Sequence, residues 1–224
     1  MKKTVFITGA SSGIGKGIAQ HLANTYRVII SDFSKAAIMA AQADLKSRGF
    51  DIEAQVFDVC DSGHLADLRT QANEQGIDVL INNAGVLKVP NTQTDSGLDV
   101  RFMVNTIAPW ALTVGLLPIT LQDGRLVCIS SVAQRPVNIK AMRSEQQLGH
   151  NEAYAQSKLA LTIWSQELAR EHPDGPMFVS VNPGSLLATK MVKESYGMAG
   201  NDLRIGADIL RRAAVSEEFA NASG

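Results

Sequence analysis

Short runs of apolar residues alternate along this chain with longer stretches in which apolar positions recur at helical spacing. The continuous apolar runs Val28-Ile29-Ile30 and Val79-Leu80-Ile81 are typical of central strands that are buried on both faces of a sheet. The pattern predicts strands over residues 4–8, 27–31, 53–57, 78–81, 125–129 and 178–181. It predicts helices over residues 14–23, 35–48, 65–74, 98–117, 153–170 and 202–212.

This alternation of strands and helices indicates an α/β fold. Strands joined through helices form right-handed crossovers, which give a parallel sheet covered by helices on both faces. We therefore expect a Rossmann-like, doubly wound sheet in a three-layer α/β/α arrangement. The 224 residues fit one such domain over residues 1–224 and leave little room for a second.

Composition and charge narrow the classes of function. Apolar residues make up 45% of the chain, and 21 basic residues nearly balance 22 acidic ones, so nothing suggests a nucleic-acid partner. No stretch approaches the roughly 20 apolar residues of a membrane span, and the early run Val5-Phe6-Ile7 is too short for a secretory signal. We expect a cytoplasmic protein in which Cys60 and Cys128 are buried free thiols rather than a disulfide. The scattered histidines predict no metal site.

A glycine-rich turn follows the first predicted strand and opens the first predicted helix. Residues 8–15 read Thr-Gly-Ala-Ser-Ser-Gly-Ile-Gly. Glycines let the backbone turn tightly and approach a pyrophosphate, whose charge suits the N-terminus of a helix. The strand before the motif and the helix after it favour a dinucleotide site over an ordinary glycine-rich turn.

The end of the second predicted strand bears on which dinucleotide binds. Asp32 lies 17 residues after Gly15, where a carboxylate can accept hydrogen bonds from the adenosine ribose hydroxyls and repel a 2′-phosphate. No basic residue lies within residues 31–34, and Ser12 occupies the loop position where one would help to bind a phosphate. The sequence therefore favours NAD over NADP.

Alternatives to this assignment stay open at this point. Lys16 and Lys35 are basic residues near the motif, and they leave NADP as a second choice. Asp32 could instead be an N-terminal carboxylate for the helix that begins at Lys35, a task that Ser34 could perform equally well.

Polar residues also follow the third and fourth predicted strands. Asp58 could accept a hydrogen bond from the adenine amino group, or it could be a turn residue. The tetrapeptide Asn82-Asn83-Ala84-Gly85 lies at the carboxyl edge of the sheet, where ligands of such folds bind. On its own this tetrapeptide could also be a simple turn.

A second group of residues points to proton transfer. Tyr154 and Lys158 lie four positions apart, on one face of a predicted helix. An ammonium beside a phenol favours the phenolate, so we expect Lys158 to lower the pKa of Tyr154. Such a phenol can exchange a proton with an alcohol or a carbonyl near neutral pH, and the Ser131 hydroxyl can hold the same oxygen. Without the glycine loop, the pair would more simply be two helix-surface residues.

Taken in order, these motifs resemble those of the short-chain dehydrogenase/reductase family over nearly the whole chain. The resemblance implies an NAD(P)-dependent oxidoreductase that interconverts an alcohol and a carbonyl compound by hydride transfer. It implies the catalytic residues Asn105, Ser131, Tyr154 and Lys158. It implies a cofactor site formed by Gly9, Ser11, Ser12, Gly13, Ile14, Gly15, Asp32, Asp58, Val59, Asn83, Ala84, Gly85, Tyr154, Lys158, Pro183, Gly184 and Thr189.

The resemblance gives each catalytic residue a role. Tyr154 is expected to be the general acid/base, and Lys158 to bind the nicotinamide ribose as well as to tune the tyrosine. Ser131 is expected to hold the substrate oxygen. Asn105 is expected to orient a water molecule that links Lys158 to solvent.

Two segments near these residues depart from the usual family pattern. Ser131 and Tyr154 lie 23 positions apart, a longer gap than is usual, and the polar segment 134–151 fills it. We expect this segment and residues 185–201 to be substrate loops. With the sequence around Tyr154, the long gap resembles the branch of retinol dehydrogenases and protochlorophyllide reductases, which favours a bulky or lipophilic substrate. Thr189 comes one residue late for its expected place at the nicotinamide.

The resemblance has two further implications. The family usually forms homodimers or homotetramers through long helices. It also usually adds a final strand, which the sequence as given lacks after the helix at 202–212. Either the sequence as given is truncated or a short version of the family exists, and a chain that truly lacks the final strand is expected to have an exposed edge on the sixth strand.

Two other functions compete with this interpretation. A dinucleotide-sensing protein could use the same scaffold without catalysis, but it would not need both Tyr154 and Lys158. An epimerase or dehydratase that uses NAD internally would need a larger substrate domain than 224 residues allow.

Overall fold

A parallel sheet of six strands forms the centre of the computed structural model, which describes residues 2–120 and 123–224. Neighbouring strands follow the order β3-β2-β1-β4-β5-β6, so β1 lies between β2 and β4. Ile7 of β1 faces Ile30 on one side and Ile81 on the other. The strands are β1 (Thr4–Ile7), β2 (Arg27–Asp32), β3 (Glu53–Val56), β4 (Val79–Asn82), β5 (Arg125–Ile129) and β6 (Met177–Val181).

Helices connect these strands. They are α1 (Gly13–Leu22), α2 (Lys35–Ser47), α3 (Ser62–Gln75), α4 (Val100–Phe102), α5 (Ala108–Leu116), α6 (Ile139–Met142), α7 (His150–Glu171), α8 (Lys190–Tyr196) and α9 (Leu203–Val215). A π-helical turn, Met103–Ile107, joins α4 to α5, and short 3₁₀ turns follow α5 and α9. The sequence pattern missed α6 and α8, because four and seven residues are too few to show a helical period.

Alternating side chains of the strands build two hydrophobic cores. Val5 and Ile7 of β1 point to one face of the sheet and Phe6 to the other, and all three are fully buried. The first face packs on α1, α2 and α9 through Ile18, Leu22, Ile38, Leu45, Leu210 and Ala213. The second face packs on α3, α5 and α7 through Leu68, Leu112, Leu116 and Leu168. The expected three-layer α/β/α fold with central strands buried on both faces is confirmed.

The position of the site follows from the strand order. The chain leaves β1 towards β2 and leaves β4 towards β5, so the connections diverge at the carboxyl ends of these two strands. Such a divergence opens a crevice above the sheet, which is where ligands bind in doubly wound folds. The glycine-rich turn and residues 82–85 meet at this crevice.

The outer edge of β6 is partly covered, which corrects the expectation of an exposed edge. The backbone N–H of Gly224 donates to the carbonyl of Phe178 at 3.0 Å. The backbone N–H of Phe178 donates to Ser223 Oγ at 3.2 Å. The residues after α9 therefore run back along β6 and satisfy part of its free edge.

One helical stretch is apolar enough to cross a membrane by length and composition. An 18-residue stretch within Val100–Ile119 has a mean hydropathy of 1.5, and 44% of this stretch is buried inside the fold. The expectation that no stretch approaches the length of a span was therefore wrong for this segment. Part of this apolar surface packs in the hydrophobic core, where Phe102, Leu112 and Leu116 are buried.

Candidate active site

A cavity of about 900 Å³ lies at the carboxyl ends of the strands. It brings together all of the predicted site residues except Gly15 and Asn105. The predicted residues that line it are Gly9, Ser11, Ser12, Gly13, Ile14, Asp32, Asp58, Val59, Asn83, Ala84, Gly85, Ser131, Tyr154, Lys158, Pro183, Gly184 and Thr189. One continuous cavity therefore joins the glycine-rich turn to the proposed proton-transfer residues.

The glycine-rich turn packs so closely against residues 83–84 that two of its positions have no room for a side chain. Gly9 has a φ of +62°, and a Cβ there would lie 2.7 Å from the Cα of Ala84. A Cβ on Gly15 would lie 2.5 Å from Nδ2 of Asn83. That same Nδ2 donates to the carbonyls of Thr8 and Gly9, each at 2.8 Å. Gly15 is thus a packing residue, and Asn83 fixes the shape of the loop that faces the cavity.

The residues present fit a dinucleotide. The N-terminus of α1 opens at the glycine turn with Ser12 as its N-cap, and no side chain caps its first N–H groups. Free N–H groups at the start of a ten-residue helix suit a pyrophosphate.

Asp32 is held by the glycine turn and by its own strand end. Its Oδ2 accepts from Ser11 Oγ at 2.6 Å, and its Oδ1 accepts from the N–H of Ser34 at 3.0 Å. The side chain of Ser34, not that of Asp32, caps α2 by accepting from the N–H of Ala37 at 3.3 Å. Asp32 is therefore not the residue that caps α2, and it lines the cavity.

Asp58 lies in a hydrogen-bonded turn after β3. Its Oδ1 accepts from the N–H of Cys60 at 2.9 Å, and its own N–H donates to Nδ1 of His64 at 2.9 Å. Phe33, which is 74% exposed, also lines the cavity. Sequence reasoning missed His64 and Phe33, because a lone histidine and an aromatic residue after a strand carry no motif.

Lys158 is buried where α7 meets the end of β5. Only 3% of its surface is exposed, and its Nζ donates to the carbonyl of Ile129 at 2.7 Å. The same Nζ lies 5.7 Å from the centroid of the Tyr154 ring. Burial disfavours the charged form and lowers the pKa of Lys158 from 10.5 to about 8. Lys158 therefore stays largely protonated at pH 7.

The pKa of Tyr154 is shifted upwards, whereas the sequence predicted a downward shift. Burial raises the pKa of the phenol, and the nearby Tyr196 hydroxyl acts in the same direction. The hydrogen-bonding interaction with the Ser131 side chain lowers it, but by less. The expectation that the pKa of Tyr154 lies below its ordinary value is thus not met, because desolvation of the phenolate outweighs the effect of the hydrogen bond with Ser131.

Asn105 lies outside the cavity wall, within the π-helical turn. Its Oδ1 accepts from the N–H of Val86 at 2.8 Å. Its Nδ2 donates to the carbonyl of Val86 at 2.9 Å and to Ser157 Oγ at 3.0 Å. The fully buried side chain thus braces the chain after β4 against α7. Its expected role in orienting a water molecule stays a prediction, and that role would fall to its main chain.

The two expected substrate loops differ in how they relate to the cavity. Residues 185–201 supply Leu186, Leu187, Met191 and Tyr196 to its wall, together with other residues of this loop. Segment 134–151 supplies none of the described lining residues. Its hydrogen bonds reach Asp99 just before α4, Gln156 of α7 and, through Gln134 Nε2, the Oγ of the cavity-lining residue Ser130 at 3.2 Å. The substrate-facing role of the segment stays a prediction.

A lysine that the sequence did not single out links two segments of the cavity wall. Lys88, in the loop after β4, donates through Nζ to the carbonyl of Ser195 at 2.6 Å. Ser195 lies near the C-terminal end of α8, where helix carbonyls lack partners within the helix. This bond ties the loop after β4 to loop 185–201.

Comparison with known proteins extends these observations. A family model described as short chain dehydrogenase matches residues 3–199. Retinol dehydrogenase 14 of Mus musculus is 33% identical over 204 residues, which cover 81% of this chain and 60% of that protein. Across the curated relatives considered, the chain spans 58–68% of their length.

Solved structures of dehydrogenases are also similar to this chain. A short-chain dehydrogenase from Sphingobium yanoikuyae, in complex with NADPH, matches with a TM-score of 0.75 and 26% identity, over 94% of this chain and 84% of that one. A bulky-bulky ketone specific alcohol dehydrogenase from Comamonas testosteroni matches with a TM-score of 0.72 and 25% identity, over 94% and 82%.

Burial of the Lys158 charge costs stability, which gives a testable prediction. Lys158→Met removes an ammonium that the fold must desolvate, so we expect the free energy of unfolding at pH 7 to rise by about 1–3 kcal/mol. Urea denaturation followed by circular dichroism measures this change. Lys46→Met, at an exposed position of α2, is the matched control and should change stability by less than about 0.5 kcal/mol.

The same substitution predicts a pH dependence. Below about pH 8 Lys158 is charged in both the folded and the unfolded state, so the folded state bears the full cost. Between pH 8 and 10.5 the folded chain releases the proton and the unfolded chain keeps it, so wild-type stability rises relative to the variant. A stability difference that stays constant from pH 7 to pH 10 would contradict the lowered pKa.

Proposed function

The chain belongs to the short-chain dehydrogenase family, and we propose that it is a nicotinamide-dependent oxidoreductase that interconverts an alcohol and a carbonyl compound. One observation carries the proposal. Tyr154, Ser131 and Lys158 line the same cavity as the glycine-rich turn, so a dinucleotide bound at the turn can extend to the proton-transfer residues.

Residues of this chain transfer the proton and orient the substrate. A bound nicotinamide supplies the hydride for reduction, or accepts it in oxidation. During reduction, Tyr154 donates its phenolic proton to the carbonyl oxygen, and during oxidation the phenolate takes the proton of the alcohol. Ser131 hydrogen-bonds the same oxygen. The raised pKa of Tyr154 keeps the phenol protonated at neutral pH, which is the form that reduction requires.

Lys158 and Asn105 have supporting roles in this proposal. Lys158 binds the nicotinamide ribose through its ammonium, which lies beside Gly85 at the cavity wall: a Cβ on Gly85 would lie 3.5 Å from its Nζ. Asn105 does not line the cavity, and its main chain orients a water molecule that exchanges protons between Lys158 and solvent.

NAD is the preferred cofactor in this proposal. Asp32 lines the cavity at the end of β2, where its carboxylate would accept hydrogen bonds from ribose hydroxyls and repel a 2′-phosphate. Lys16, one of the two lysines that left NADP open, already pairs with Asp44 at 2.9 Å. Lys35 is the other. The related structure from Sphingobium yanoikuyae holds NADPH, so the preference for NAD that we propose rests on Asp32 and not on the likeness of fold.

A bulky or lipophilic alcohol or carbonyl compound fits the cavity best. Apolar side chains that are largely open to solvent surround its catalytic end: Val132 is 69% exposed, Tyr196 47% and Leu186 41%. Such exposed apolar groups mark a surface suited to an apolar ligand. Two similar proteins are described as a retinol dehydrogenase and a bulky-ketone-specific enzyme. A panel of aliphatic, aromatic and terpenoid carbonyl compounds tests this preference by nicotinamide absorbance; preference for small polar substrates would contradict it.

We also propose a homodimer or homotetramer in the cytoplasm. The surfaces of α5 and α7 carry Trp110 and Ile163, which are 45% and 51% exposed and suit burial against a second copy. The free thiols Cys60 and Cys128 are compatible with a reducing compartment. Light scattering tests the assembly: a mass equal to one chain of 24.0 kDa would contradict it. Cell fractionation tests the location, and recovery with membranes would contradict it.

A dinucleotide sensor without catalytic activity is the weaker alternative. Such a protein gains nothing from burying the Lys158 ammonium beneath a tyrosine, and the burial is costly. The convergence of Tyr154 and Ser131 on one side of the cavity likewise serves a reacting oxygen.

Replacement of the phenol tests the chemistry. Tyr154→Phe removes the proton donor and keeps the ring, so we expect kcat to fall by about 10³-fold while the cofactor dissociation constant changes by less than about threefold. Steady-state kinetics and fluorescence titration with NADH measure the two quantities. Tyr26→Phe, which lies outside the cavity, is the matched control. Near-normal turnover of the Tyr154 variant would exclude the phenol as the acid/base.

Neutralisation of the carboxylate tests the cofactor preference. Asp32→Asn weakens the acceptor for the ribose hydroxyls and removes the repulsion of a 2′-phosphate, so the ratio of the NADP to the NAD dissociation constant should fall by about tenfold or more. Calorimetric titration of both dinucleotides measures this ratio. Asp51→Asn, at an exposed loop position, should leave it unchanged. An unaltered ratio in the Asp32 variant would refute the assignment.

A further inference from the structure

Segment 134–151 contacts α7, the helix that carries Tyr154 and Lys158. Gln156 of α7 accepts the N–H of Asn138 on its Oε1 at 2.8 Å. Ser144 Oγ accepts the N–H of Asp99, just before α4, at 3.0 Å. These bonds hold the segment between α4 and α7, the elements that lead to Asn105 and Tyr154.

A buried arginine forms the centre of this contact. Arg101 of α4 is 1% exposed, although arginine is rarely found so deep in a protein. Its Nη2 pairs with Asp99 Oδ2 at 2.7 Å and donates to the carbonyl of Leu148 at 3.3 Å. Its Nη1 lies 3.3 Å from Nδ1 of His150, which accepts because a guanidinium has donors only. One guanidinium thus contacts the residues on both sides of the start of α7.

The register of these contacts relates Arg101 to the catalytic residues. Arg101 lies one helical turn before Asn105, and His150 lies one turn before Tyr154. Further along the contact between this part of the chain and α7, Asn105 Nδ2 donates to Ser157 Oγ at 3.0 Å. The Arg101 contact therefore fixes the first turn of α7, immediately before Tyr154, where the Asn105 contact does not reach.

We propose that Arg101 is a positioning residue for Tyr154. Through Leu148 and His150 it fixes the first turn of α7, so that the phenol is held at the substrate oxygen. The inference rests on the proposed oxidoreductase function. Displacement of a reacting group by about 1 Å can cost about 10²-fold in rate, so a brace one turn from the phenol affects kcat without touching the substrate.

The planar fork of arginine matters to this role. It reaches the carboxylate of Asp99, a carbonyl and an imidazole together, whereas a lysine ammonium is a single point charge on a flexible stem. Arg101→Lys therefore keeps the charge that pairs with Asp99 and loses the simultaneous contact with the start of α7. Arg101→Met loses both.

The test compares these variants with a second arginine that has only a structural role. Arg125, at the opposite end of β5 from the cavity, donates to the carbonyls of Ala213 and Ser216 at 3.1 and 2.7 Å. Arg125→Met is thus the matched control. We expect Arg101→Met to lower kcat by about 10- to 100-fold, with the NADH dissociation constant and substrate KM within about threefold of wild type. Arg101→Lys should be intermediate, and Arg125→Met should lower stability but not kcat per folded enzyme.

Amide hydrogen exchange gives a readout that does not depend on activity. Residues 150–158 should exchange faster in both Arg101 variants than in wild type, and at the wild-type rate in the Arg125 variant. Unchanged exchange there, or a wild-type kcat in Arg101→Lys, would overturn the positioning role; the lysine variant decides the matter if Arg101→Met does not fold. A wild-type enzyme that turns over no alcohol or carbonyl compound would refute the proposed function, and the exchange result would still decide the role of Arg101.

Discussion

The burial of one ammonium group is the constraint around which the catalytic end of this structure is arranged. Lys158 is almost without exposure and has the carbonyl of Ile129 as its hydrogen-bond acceptor. To hold it there, α7 must lie against the end of β5, and the chain after β4 must pass close by at Gly85. A buried charge of this kind costs stability. The fold tolerates the cost at the place where a charge can meet a cofactor and a proton-transferring phenol.

The two ends of the cavity follow from one topological feature. Because β1 and β4 are neighbours whose connections diverge, the glycine turn after β1 and the chain after β4 pack against each other. Asn83 ties them together through Thr8 and Gly9, and the same chain continues to Val86, which Asn105 holds. The glycine turn and α7 are therefore connected by a short series of hydrogen bonds, the last of which joins Asn105 to Ser157.

The sequence predicted what depends on periodicity and on local motifs. The buried runs of β2 and β4, the glycine turn and the Tyr154/Lys158 pair all lie where the pattern placed them. It could not predict the direction in which the pKa of Tyr154 shifts, because both burial and the coulombic effect of Tyr196 depend on packing between residues distant in sequence. The substrate role that it gave to segment 134–151 stays a prediction, because length and polarity do not reveal which elements a loop contacts. The role of Arg101 was invisible for the same reason, since a single arginine carries no motif.

The central claim is that a hydride passes between a nicotinamide and a carbonyl carbon in this cavity. The most direct test supplies wild-type enzyme, in ordinary water, with NADH that carries deuterium at both C4 positions and with a carbonyl substrate from the panel. Mass spectrometry and proton NMR then locate the label in the alcohol. Hydride transfer places one deuterium on the carbon that bears the new hydroxyl group. Alcohol formed without deuterium at that carbon would contradict it.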